Sequence, residues 1–484
     1  MERPVMLDSS FAALVPILCV TLAAVAVLFA EAFRREGEQM PIGGLGVIGL
    51  GFALAGCVVL WNRNASSLGV IEADNFGLFV SAVICVAGLL TIAFSGQVIR
   101  RDGLPSGEYY ALTLFATAGM IIMAVASDLL TIFLALEILS ISVYVLTGLR
   151  RDSPSASEAA FKYFLLGAFS SAFFLYGVAL TYVLTGSTQL ADIAAWMGNE
   201  GLNVTPMMLI ALGLLLVGFA FKISAVPFHM WTPDAYEGAP TLVTGFMSTG
   251  VKAAAFAAFI RVFLSAYEPL RADWTPVLWG IAMLTMIVGT VVGVAQGNLK
   301  RMLAYSSIAH AGYLLVGLVA ANEIGRASIL FYLLVYAVTN LGAFGIIALL
   351  STADRPHEEL RDFAGLWHTR PALAALMAVF LLSLGGLPPT AGFVAKWYVF
   401  SAAVRAGFYD LAIVGMLTSV ISVFFYLRVV VMMYMAEPAD PQVRPAVGAV
   451  PLAALVVSTA ALFYLGILPT RMIDLAAASV GTIF

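Results

Sequence analysis

Residues 221–252 read FKISAVPFHMWTPDAYEGAPTLVTGFMSTGVK, in which Lys222, His229 and Lys252 interrupt apolar sequence around Pro227, Pro233 and Pro240. The runs on either side are long enough to cross about 30 Å of hydrocarbon. Lys222 and Lys252 then lie at depths where a charge costs a few kcal/mol or more, and such residues are expected to have a partner or a function.

The chain around them has the same character. Of its 484 residues 62% are hydrophobic and 11% charged, with mean hydropathy +0.99, against roughly 25% charged in soluble domains. This composition specifies an integral membrane protein. A net charge of −4 without a basic block points to no nucleic acid and no anionic lipid patch. Cys19, Cys57 and Cys85 fall singly in apolar runs, so they form neither a metal-ligand spacing nor a disulfide framework. Residues 11–33 have the length of a signal sequence. Only Arg3 precedes them as a positive charge and no small-residue cleavage site follows, so they are expected to be a first membrane helix.

Apolar segments predict fourteen spans, near 11–33, 44–61, 76–96, 109–126, 128–148, 161–184, 206–226, 240–265, 275–295, 302–321, 326–352, 371–400, 409–435 and 447–467. Counting Lys and Arg in alternate loops tests the division, because cytoplasmic loops carry the excess. One side receives fourteen: Arg34, Arg35, Arg100, Arg101, Arg150, Arg151, Lys162, Lys300, Arg301, Arg355, Arg361, Arg370, Arg428 and Arg444. The other receives seven: Arg3, Arg63, Arg261, Arg271, Arg326, Arg405 and Arg471. Both termini are therefore expected on the non-cytoplasmic side.

Within the spans, Glu137 is the ionisable group at depth in SDLLTIFLALEILSISVYVLTG. An isolated intramembrane carboxylate reads as functional and in need of a cation; a protonated Glu acting as interhelical glue is the alternative. Lys222 stands five residues before Pro227, which breaks or kinks the seventh span beside it. Broken helices at membrane depth line protein interiors or wet cavities and serve ion sites in transporters. The plainer alternative is a proline kink with a lysine reaching the interface. Lys252 lies among small residues in FMSTGVKAAAF, too deep to snorkel. His310, mid-span in MLAYSSIAHAGYLLVGLVA, can pass a proton as neutral imidazole. His229 in the break fits a structural histidine as well as a proton carrier. His357 and His368 share a loop with Asp354, Glu358, Glu359, Arg361 and Asp362 and are expected to be solvated. Glu158 and Lys162 have the spacing of a helical ion pair, with Lys162 also able to extend inward toward Glu137. Gly44, Gly46 and Gly49 match a dinucleotide fingerprint, but no strand precedes them and they read as packing glycines. A nucleotide-binding GxxxxGK[ST] pattern is absent from the sequence, as are paired haem histidines on one helix.

The polar residues recur: 85 positions separate Glu137 from Lys222, and 86 separate His310 from Lys396. Spans four to eight and nine to thirteen thus read as two five-helix copies, the second inverted because each has an odd number of spans. Pro388 and Pro389 in LSLGGLPPTAGFVAKWYVF interrupt span twelve as Pro227 interrupts span seven, although Lys396 follows its break and Lys222 precedes one. The expected division is 1–108, 109–265, 266–435 and 436–484. Because a buried lysine can lose its proton near neutral pH, while a carboxylate at ~4 Å is worth about 4 kcal/mol in the other direction at an effective dielectric of 20, motion of Glu137 against Lys222 would switch that lysine. Lys252, His310 and Lys396 would extend a proton wire, with Lys396 at its end.

FHMWTPDAYEGAP with the downstream GVK, the Glu of span five and QGNLKRMLAYSSIAHAGY resemble the antiporter-like membrane subunits of respiratory complex I, the bacterial NADH-quinone oxidoreductase. The resemblance covers spans four to thirteen strongly. Lys396 differs from the Glu usual in the M branch, and the chain ends after span fourteen without the lateral helix of the L branch, which favours the N branch. The resemblance implies that Glu137, Lys222, Lys252 and Lys396 carry protons, with Lys162 a weaker candidate. It also implies a bacterial inner-membrane location and neighbours including subunit M, small membrane subunits, the lateral helix of L and lipids. This chain would hold no cofactor, and NADH, FMN, iron-sulfur clusters and quinone would belong to partner subunits. A subunit of a separate cation/proton antiporter and a purely structural membrane subunit are the competing readings.

Overall fold

The computed structural model describes residues 9–35, 41–198, 204–352, 357–438 and 446–483. Arg3, Asp354, Arg355 and Arg444, used in the loop readings above, lie outside them. Helices dominate because the long Leu-, Ala- and Phe-rich segments satisfy their backbone hydrogen bonds internally, as a chain in hydrocarbon requires. The N-terminal part holds α1 (Ser9–Ala12), α2 (Val15–Ala32), α3 (Gly43–Leu60) and α4 (Asn75–Asp102). Next come α5 (Ser106–Val125), α6 (Leu129–Thr147), α7 (Pro154–Thr185), α8 (Leu190–Met197), α9 (Pro206–Lys222) and α10 (Trp231–Gly238). One continuous rod then runs from α11 (Thr241–Phe246) through a π-helical turn at Met247–Val251 into α12 (Lys252–Arg261) and a second π turn at Val262–Ala266. The remainder is α13 (Arg271–Val294), α14 (Leu299–Ala320), α15 (Glu323–Leu350), α16 (Leu366–Thr369), α17 (Pro371–Gly385), α18 (Ala391–Arg405), α19 (Tyr409–Met435), α20 (Ala449–Ile467) and α21 (Thr470–Val480).

Among the described residues twelve helices are long and apolar enough to cross a membrane, and α9 and α17 are shorter apolar helices. These two shorter helices fall where the prolines predicted interruptions. Each ends in a residue of left-handed backbone nearby: Ser224 after α9 and Gly386 after α17. The first break begins earlier than Pro227 alone suggested, since α9 stops at Lys222 and α10 resumes only at Trp231. Its freed backbone groups find partners. The Trp231 indole donates to Phe221 O at 3.0 Å and Val226 N donates to Thr285 Oγ1 at 2.9 Å, while a side-chain bond from Thr232 Oγ1 to Ser224 Oγ at 2.7 Å ties the break together.

The helices sort by depth in the protein. The rod Thr241–Ala266 is wholly buried along its most apolar window, and α14 and α15 nearly so, whereas α2 and α20 expose most of theirs. A helix apolar on every side is a core helix or a lipid-facing one, so sequence pattern does not separate these two groups. Packing does: α15 touches α4, α11, α14, α17, α18, α20 and α21. Several elements were not foreseen. A small antiparallel hairpin, β1 (Ala65–Ser67) and β2 (Ile71–Ala73), caps one end, and α8, α10 and the C-terminal α21 are short helices in segments read as loops.

Candidate proton-transfer site

All three intramembrane lysines are buried, with Lys222 at 4%, Lys252 at 2% and Lys396 at 5% exposure. None forms an ion pair with a carboxylate among the described residues; each ammonium meets neutral oxygens. Lys222, the last residue of α9, reaches across to α6 and donates from Nζ to Ser140 Oγ at 2.7 Å, between the rings of Tyr144 and Tyr163. Ser140 in turn donates to Leu136 O at 2.5 Å. Glu137 stands one turn before Ser140, with a buried Oε1 that has no hydrogen-bond partner. In this structure Ser140, and not Glu137, makes the polar contact of the Lys222 ammonium, so the two groups expected to move against each other form no ion pair among the described residues.

Lys252 follows directly on the π turn of Met247–Val251, a local widening often found at functional positions. Its Nζ donates to Ser307 O at 2.5 Å and Ser307 Oγ at 2.6 Å on α14, and lies 5.1 Å from the Tyr336 ring centre. One turn further along α14 is His310. Its Nδ1 is 2.6 Å from the Tyr332 hydroxyl and its Nε2 3.4 Å from the Tyr426 hydroxyl, which also bonds Ser306. The rings of Tyr313 and Tyr336 flank the imidazole.

Lys396 completes this arm. Its Nζ donates to Leu384 O at 2.8 Å, Gly385 O at 3.0 Å and Ser419 Oγ at 2.8 Å, and it sits 5.2 Å from the Tyr313 ring centre. The two carbonyls are the orphan acceptors at the end of α17, where a cation is favoured by the helix dipole. A half-helix C-terminus holding a cation is thus what the double-proline break builds. Lys252, His310 and Lys396 are brought together through Ser307 and tyrosines, while Lys222 and Glu137 form a separate cluster across the aromatic wall of Tyr163, Trp231 and Tyr236.

Other sequence expectations resolve differently. Lys162 does not extend toward Glu137; it pairs with Glu158 at 2.7 Å, at the expected helical spacing, and with Asp234 of the break at 2.8 Å. A half-exposed ion pair was the easier way to satisfy its charge. His229 is half-buried with an unpartnered Nδ1. His368 is exposed, but His357 and Asp362 are buried, because backbone bonds between Gly297–Leu299 and Glu358–Leu360 pull their loop onto the start of α14. This places Glu358 at 3.0 Å from Lys300.

Lys300 and Arg261, counted above as loop charges, are buried at 2% and 3%. Lys300 donates to Glu237 O and Ala239 O, both at 2.7 Å, and so caps the C-terminal end of α10, while Arg301 grips Asp234 and Glu237 of the same helix. Replacing Lys300 by alanine orphans those carbonyls at about 1–3 kcal/mol each. Faster amide hydrogen exchange is expected through residues 231–238, and unchanged protection there would show that the cap is dispensable. The serines and tyrosines were missed because a hydroxyl in an apolar run carries no sequence signal alone. Ser140, three residues after Glu137, was the one spacing that offered a hint.

Among the described residues no group of three or more His, Cys, Asp or Glu side chains is placed to hold a metal ion. Residues 126–422 match the family described as NADH:quinone oxidoreductase/Mrp antiporter, TM. The chain is 46% identical over 468 residues to NADH-quinone oxidoreductase subunit N of Trichlorobacter lovleyi, covering 96% of this chain and 95% of that one. Among solved structures it superimposes on a chain of respiratory complex I from Thermus thermophilus with bound aureothin, with TM-score 0.81, 35% identity and coverage of 96% and 99%. It also matches a chain of the Mrp complex from Dietzia sp. with TM-score 0.86, 22% identity and coverage of 99% and 98%, a likeness of fold. With more than half of its length inside the family match and 46% identity to a subunit N over nearly its whole length, this chain belongs to the NADH:quinone oxidoreductase/Mrp antiporter membrane family.

Proposed function

We propose that this chain is the N-type membrane subunit of a proton-pumping NADH-quinone oxidoreductase, conducting protons along Glu137, Lys222, Lys252, His310 and Lys396 while redox chemistry proceeds in partner subunits. One observation carries the proton-transfer part: three buried lysines are each held by hydroxyls and carbonyls instead of carboxylates. A buried lysine locked in an ion pair resists deprotonation, whereas one on neutral acceptors can give up its proton. Identity of 46% with a subunit N over nearly the full length supports the assignment to the enzyme over a separate antiporter, whose likeness is one of fold. NADH, FMN, iron-sulfur clusters and quinone belong to other subunits, and the lysine row moves charge without them.

The fourteen-span reading takes α9 up to the break at Pro227, and α17 with α18, as the two interrupted spans beside the twelve long helices. It divides the chain at 1–108, 109–265, 266–435 and 436–484, the middle two being inverted copies. Both termini face the periplasm of a bacterial inner membrane, and subunit M, small membrane subunits and the lateral helix of subunit L are neighbours. Co-purification in mild detergent tests the assignment: NADH-oxidising and quinone-binding partners are expected, and robust Na⁺/H⁺ exchange by the isolated chain in proteoliposomes would favour the antiporter reading. Glu137→Gln and Lys222→Ala are each expected to cut NADH-driven proton pumping with assembly preserved. Intact pumping in both would leave a purely structural subunit.

A further inference from the structure

We propose that Ser140 is a positioning residue that keeps the Lys222 ammonium out of a closed ion pair with Glu137 and turned toward a cavity able to take water; this rests on the proton-path reading above. The Ser140 hydroxyl spends its proton on Leu136 O one turn back, which fixes its lone pairs as acceptors for Lys222 Nζ at 2.7 Å. Glu137 is on the neighbouring position of the same helix, three residues earlier. Its buried Oε1 is nonetheless unpartnered. A lysine with a carboxylate at hand thus rests on a neutral hydroxyl.

The contact has a chemical consequence. In a direct pair the ammonium and carboxylate would hold each other charged, and the proton would be trapped. Held by Ser140, the ammonium lines a small cavity together with Tyr144, Ser170 and Ser171. It has room for about one water, which needs two to four polar partners, and the hydroxyls and the ammonium provide them. Gly167 admits the Tyr144 hydroxyl to this wall, since a Cβ there would run into it. The titratable groups facing Lys222 are Glu137 and Tyr144 from α6 and Tyr163 from α7.

The test uses whole complex in inverted membrane vesicles carrying Ser140→Ala, Ser140→Thr or Lys222→Ala, with NADH-driven proton uptake followed across pH. Ser140→Ala is expected to lower uptake about tenfold, the scale set by losing one hydrogen bond to a charged group, and to change the shape of its pH profile, while Ser140→Thr restores both. A merely structural serine would lower the amount of complex without altering the profile of what remains. Wild-type uptake and profile in Ser140→Ala, with uptake lost in Lys222→Ala, overturns the inference and leaves the proton path standing. Wild-type uptake in Lys222→Ala removes the path itself. If Ser140→Ala fails to assemble, Ser140→Cys, similar in size with a weaker acceptor, is expected to show the same change in profile, and an unchanged profile there is equally fatal.

Discussion

Proton pumping is expected to fall about tenfold or more when Lys396 is replaced by alanine, the effect of raising the slowest transfer by ~1.4 kcal/mol or more. Lys396 lies at the far end of the Lys252–His310 arm, and all three donors of its ammonium are engaged by Leu384 O, Gly385 O and Ser419 Oγ. None of these three partners can hold a positive charge in its place. The substitution also orphans two carbonyls at the end of α17, at about 1–3 kcal/mol each if they stay buried. Pumping is therefore scored against the amount of assembled complex. Gly386→Ala separates position from charge: its Cβ would lie 2.8 Å from Lys396 Cδ, at a backbone φ of 79°. It keeps the ammonium but displaces it, and a smaller loss in the same direction is expected. Assembled Lys396→Ala complex pumping at the wild-type rate would take this lysine out of the path.

The legibility of this site followed what a membrane makes expensive. Glu137, the three lysines and His310 stood out because a charge or imidazole in hydrocarbon is costly wherever it points, and the structure buries every lysine of that set. The breaks were legible for a similar reason, since Pro227, Pro388 and Pro389 cannot continue a helix. What the sequence concealed was contact. Ser140, Ser307 and Ser419 cost little in an apolar helix because they can bond their own backbone, so nothing marks them as the partners of the lysines. Depth within the bundle was hidden as well. α15 and α20 are both uniformly apolar, yet one is central and the other faces outward. Loop charges failed in the opposite sense: Arg261, Lys300 and His357 looked solvated by position and are buried by tertiary contacts that join distant parts of the chain.

Removing Arg261 is expected to destabilise the protein by about 3–5 kcal/mol, because it strands a buried carboxylate. Its guanidinium meets Asp74 through two bonds, Nη1 to Oδ2 at 2.8 Å and Nη2 to Oδ1 at 2.6 Å, and its Nε donates to Ala124 O at 3.1 Å. The paired, planar geometry makes these strong charge-assisted bonds, and both side chains are under 10% exposed. Asp74 is also the N-cap of α4, accepting from Gly77 N at 2.7 Å, so the pair ties the start of α4 to the end of the helix that carries Lys252. Two variants separate the cap from the charge. Asp74→Asn keeps a competent cap but leaves the guanidinium without its counter-charge, whereas Arg261→Ala leaves the carboxylate. Each alone is expected to lower the heat resistance of the complex in mild detergent and its amount in the membrane. Asp74→Asn combined with Arg261→Met leaves no unpaired charge, and replacing a buried pair by neutral groups of similar volume is often close to neutral. The double variant is therefore expected to recover most of the loss of Arg261→Ala. Two additive single losses, or an Arg261→Ala complex that melts with the wild type, would show that the pair is not what holds α4 to α12.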